Sequence, residues 1–144
     1  MTAMFGVIGG IAATVPALAT AYVKGREALA PLLSRRSLRV VIVASEDKQT
    51  GAIAFANALR GRGYREVFVT RVPEAAAQAQ AVVLWELGSA DVANALRAAA
   101  VAPEATVCVL TYEALQGLPR GAKWLLCNSP VRLRGDLAAI AEGT

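Results

Sequence analysis

The chain has 144 residues, 56% hydrophobic and 18% charged, with two cysteines and no histidine. That is one ordinary domain with a core, not a disordered segment. The missing histidine excludes a Ser-His-Asp triad and any imidazole metal ligand, and two thiols without it make a poor zinc site. The formal charge is +4. Residues 24–39 hold Lys24, Arg26, Arg35, Arg36 and Arg39 against Glu27 alone, and the charges from residue 40 onward balance. A nucleic-acid binder would spread its cations over the folded surface, so nucleic acid is not the expected partner.

Residues 1–23 carry no charged side chain. Met4 to Val23 would make a helix of about 30 Å, the thickness of a bilayer core. The cations that follow set the expected orientation: N-terminus outside, the rest in the cytoplasm. Two other readings stand beside a cytoplasmic-membrane span. One is a helix buried in a cytoplasmic protein assembly. The other is a signal peptide ending near Ala17-Leu18-Ala19, although a basic n-region is missing. Gly9, Ala13, Ala17 and Ala21 recur every four residues, with Gly6, Gly10 and Thr14 as a second row. Small residues at this spacing allow close helix approach, so this face is the expected homo-oligomer contact. Pro16 predicts a kink. The helical pattern extends to about residue 34, which delimits an N-terminal unit of 1–34, and Ser34–Ser37 is the candidate linker to an α/β domain over 38–144.

Beyond it, nearly continuous apolar runs predict strands at 38–44, 66–70, 81–86, 106–110 and 123–127. Cys108 and Cys127 fall inside two of these runs and read as small buried side chains. Helices are predicted over about 48–61, ending at Gly61–Gly63, in a short stretch opened by Pro73, after Ser89 with Val92, Leu96 and Ala99 on one face, and near the end with Leu133, Leu137 and Ile140 on one face. Alternating strands and helices predict a flavodoxin-like α/β fold, a five-stranded parallel sheet of order 2-1-3-4-5 with helices on both faces.

In such sheets ligands bind beyond the carboxyl ends of the strands at the switch in strand order. Ser45-Glu46-Asp47-Lys48 and Trp85-Glu86 end the two strands that flank it, and Ser89 follows. These seven are the candidate ligand residues. Asp47 and Glu86 could share a proton or bind a sugar hydroxyl. Otherwise Ser45 or Asp47 caps the first helix and the acids are solvated. For Glu86 to enter such a site it must lie past the strand's end, because adjacent strand residues alternate faces.

The run "VIVASEDKQTGAIAFANALRGRGYREVFV" resembles the opening of bacterial Toll/interleukin-1 receptor (TIR) domains. Ala44-Ser45-Glu46-Asp47-Lys48 matches the family's first turn and Gly63 its glycine. "AQAVVLWELGSADVANALRAA" is similar to its third strand and next helix, with Ser89 at the family's serine. Members that cleave NAD place a tryptophan and a glutamate on that helix; here Asp91 and Ala95 stand in those places. The resemblance, which covers about residues 38–110, implies a non-catalytic signalling or defence domain. It would bind an NAD-derived or cyclic nucleotide ligand or a partner TIR domain, with no cofactor or metal. The catalytic alternative uses Glu86 to cleave NAD, and the structural one is a filament or shell subunit. "TVCVLTY" and "GAKWLLCNSP" resemble the last strands of response-regulator receiver domains, with Thr111 and Pro130 in familiar places. A phosphorylatable receiver would need acids at Ala44 and Ser45, aspartate at Glu86 and lysine at Ser129, so that resemblance also implies lost chemistry.

Overall fold

The computed structural model describes residues 34–143. The proposed span, its small-residue rows (Gly6, Gly9, Gly10, Ala13, Ala17, Ala21) and the Pro16 kink lie outside the described residues. Among the described residues no helix is long and apolar enough to cross a membrane.

Five strands form one parallel sheet: β1 (Arg39–Val43), β2 (Glu66–Thr70), β3 (Ala81–Leu84), β4 (Thr106–Leu110) and β5 (Trp124–Cys127). Their order is β2-β1-β3-β4-β5, the expected flavodoxin-like arrangement. Val40, Val41 and Ile42 on β1 and Val82, Val83 and Leu84 on β3 are nearly inaccessible, as a strand covered on both faces requires. Besides the helical residues 34–37, three α-helices are described: α1 (Gln49–Arg60), α2 (Val92–Val101) and α3 (Pro130–Gly143). α1 and α3 cover one face through Ala52, Phe55, Leu59, Leu133 and Leu137. The other face is covered by α2 and a 3-10 segment at Pro73–Gln78, through Ala76, Ala95, Ala98 and Ala99.

Several sequence expectations are corrected. β3 stops at Leu84, not at residue 86, because Glu86 adopts a left-handed φ of 47° that no strand accommodates. The buried face of α2 is Ala95, Ala98 and Ala99, while Leu96 points outward at 38% exposure. Small alanines let α2 lie close to the valine-rich sheet, and the larger leucine is left outside. The supposed linker is helical over residues 34–37. It is tied down by Arg35 Nη1, which donates to Arg62 O at 3.1 Å, and by the Arg35 guanidinium 5.5 Å from the Tyr64 ring centre.

Candidate functional site

The carboxyl ends of β1 and β3 lie at the reversal of strand order, and the candidate residues gather there in two groups. Ser45 follows β1 and opens a 3-10 turn, Glu46–Lys48, that runs straight into α1. The capping expectation fails. Neither Ser45 nor Asp47 bonds a helix amide through its side chain; the Ser45 hydroxyl instead donates to Asp47 Oδ1 at 2.8 Å. Asp47 is exposed, and Glu46 reaches outward to Arg71 at 3.1 Å.

Lys48 turns inward. Its ammonium donates to the Glu86 carbonyl at 2.6 Å. The peptide that carries this carbonyl owes its direction to the left-handed backbone of Glu86, a conformation that costs a non-glycine residue about 1–3 kcal/mol. The next carbonyl, of Leu87, accepts from the buried Thr111 hydroxyl at 2.8 Å, and Leu87 N donates to Leu110 O at 2.8 Å. Glu113 Oε1 accepts from Ser89 N at 3.1 Å. Gly88 lies where these side chains converge: a Cβ there would be 3.7 Å from both Lys48 Nζ and Glu113 Oε2. The loop after β3 is thus held from both sides, by Lys48 from β1 and by Thr111 and Glu113 from β4.

Trp85 offers little surface to a ligand. Its ring packs against Phe55 in the α1-side core, with centroids 5.0 Å apart and 6% exposure. Gly51 permits this: a Cβ at that position would meet Trp85 Nε1 at 3.3 Å. The indole N–H is buried without a partner.

What opens at the switch point is a cavity of about 30 Å3. It adjoins Ser45, Trp85, Arg71, Asp91, Asn94 and Ala95. Ser45 and Trp85 are thus the candidates that meet there; Glu46, Asp47, Lys48, Glu86 and Ser89 are not among its lining residues. Arg71, Asp91 and Asn94 escaped the sequence reading as site residues. The position of Asp91 one turn before the buried Ala95 on α2 was the available signal. A cavity of this size holds a water molecule or two, whereas small-molecule sites run to about 300–1,000 Å3. Among the described residues, no cluster of acidic or thiol side chains could hold a metal ion.

Both thiols are free and buried. Burial pushes the Cys108 thiol up to about 12, reinforced by the nearby Asp136 carboxylate and by Cys127. Cys127 is shifted upward too, chiefly by burial. Neither is therefore an activated nucleophile.

Comparison with protein-family models, with curated proteins and with solved structures finds no match to this chain.

Proposed function

We propose that the chain is a membrane-anchored or self-assembling signalling or defence protein whose TIR-like α/β domain acts by contact with a partner protein and not by catalysis. The small size of the crevice at the strand-order switch carries this reading. Ala95, in the place where NAD-cleaving relatives have glutamate, is 1% exposed and borders a cavity of about 30 Å3. A methyl group cannot stabilise an oxocarbenium-like centre or accept a ribose hydroxyl. Lys48, Thr111 and Glu113 spend their hydrogen bonds on the protein's own loop. A cavity of about 30 Å3 admits no nucleotide unless the loops around it move, so a partner protein fits the domain better than an NAD-derived ligand. The uncharged stretch 1–23 supplies the clustering helix, placed in the cytoplasmic membrane with the α/β domain inside the cell.

The test is incubation of the purified full chain with NAD, followed by chromatography for released nicotinamide. NAD stays intact in this account. Cleavage that is lost in Glu86→Gln or in Asp91→Asn would overturn it and identify the catalytic carboxylate.

A further inference from the structure

Among the described residues β2 is an edge strand, hydrogen-bonded to β1 alone. Peptide groups alternate sides along a strand. Thr70 O accepts from Ala44 N on the β1 side, so the peptide groups of Val67 and Val69 face outward. An outward row of this kind is a template for another strand. Here the Val67 carbonyl is taken: Arg60 Nη2, from the last turn of α1, donates to it at 2.6 Å. The guanidinium is held in place by a second bond, Nη1 to Asn57 Oδ1 at 2.7 Å.

We infer that Arg60 is a latch that holds the β2 edge closed against pairing with a second copy of this chain. The strand itself is self-complementary. In a two-fold antiparallel pair centred on Phe68, Val67 of one copy meets Val69 of the other with both bonding groups correctly turned. Phe68, 53% exposed beside an open groove of about 510 Å3, then faces its own counterpart at the close, non-hydrogen-bonded position, where aromatic pairs are favoured. Two further cations reinforce the latch. Arg65 and Arg71, both exposed at the two ends of β2, come opposite each other in that pairing and repel, a repulsion that the ion pair of Arg71 with Glu46 reduces. Edge strands in natural proteins are blunted by such charges, but a guanidinium bonded directly to the outward carbonyl is a contact that can be released.

The experiment uses the full chain with Phe68→Cys, oxidised under mild conditions and read as disulfide-linked dimer on a non-reducing gel. Opposed residues at the central position sit at about 4.5 Å between Cα atoms, within disulfide reach. Dimer cross-linked through residue 68 should form about tenfold faster when Arg60→Ala is added, the factor that one charge-assisted hydrogen bond is worth. Asn57→Ala, a mild change at an exposed helical position, should give a smaller rise and covers the case in which Arg60→Ala fails to fold. Adding Val69→Pro removes an outward N–H and should return the rate to that of Phe68→Cys alone. The inference is overturned if neither latch variant speeds cross-linking at 68 relative to an exposed control, Val131→Cys, or if the gain survives Val69→Pro.

Discussion

Glu86 concentrates the local physics of the site. Its left-handed backbone is unfavourable for any residue with a Cβ, and what holds it there is the Lys48 ammonium on its carbonyl. Glu86→Gly should therefore keep the fold and raise its stability by about 0.5–1 kcal/mol, measured as a shift of the urea midpoint. Thr111 is the opposite case. Thr111→Val is nearly isosteric but leaves the Leu87 carbonyl without its donor, and it should cost about 1–3 kcal/mol in the same measurement. The sequence made the location of this cluster legible, because four polar residues after a buried strand stand out, and so do Trp85-Glu86 after another. It hid the pairings. That Lys48 would bind a carbonyl and not a carboxylate, and that Ser45 would bond Asp47 and not a helix amide, depend on backbone directions set by φ at Glu86 and by the 3-10 turn.

At the scale of elements, helix positions were readable and helix faces were less so. α3 buries Leu133 and Leu137 as its spacing requires. α2 turns alanines inward, because hydrophobicity alone does not tell which apolar face a tightly approached sheet will accept. The end of α2 has no glycine cap. The carbonyls at and just past its end are served by Lys123, which directly precedes β5: the ammonium donates to Ala99 O, Ala102 O and Pro103 O at 3.3, 3.2 and 3.0 Å. This long-range cap has no sequence signature, since the lysine lies more than twenty positions downstream. Lys123→Met should cost about 1–2 kcal/mol and raise amide exchange in the last turn of α2 without affecting α1. By contrast the ion pair of Arg97 with Glu74, which ties α2 to the 3-10 segment, is half exposed and screened by water, so it adds little to stability.

For the whole molecule, the sheet order followed from the alternation of strands and helices, and the sheet's coverage did not. The connection between β2 and β3 carries only a six-residue 3-10 segment, and no α-helix lies between β4 and β5, so Phe68 and Leu126 at the two edges are left about half exposed. Short apolar connections read equally well as a helix or as a turn packed flat. The buried thiols give the molecule an alkaline limit. The raised Cys108 value means that the folded state keeps the proton that the unfolded chain loses. The contribution is complete below the ordinary thiol value of 9.0, and it is lost as pH rises through the folded value of about 12. Over that interval Cys108 accounts for about 4 kcal/mol. Stability should fall across this window in the native sequence and less steeply in Cys108→Ala, as read by denaturant titration at each pH.

A crevice too small for a nucleotide is the central claim, and hydrogen–deuterium exchange of the full chain with and without NAD or a cyclic dinucleotide tests it most directly. Segments 43–48 and 85–90 should exchange at the same rate in both samples, because a cavity of about 30 Å3 is far smaller than either ligand needs. Saturable protection of both segments by either nucleotide would contradict the account and make the strand-order switch a ligand site.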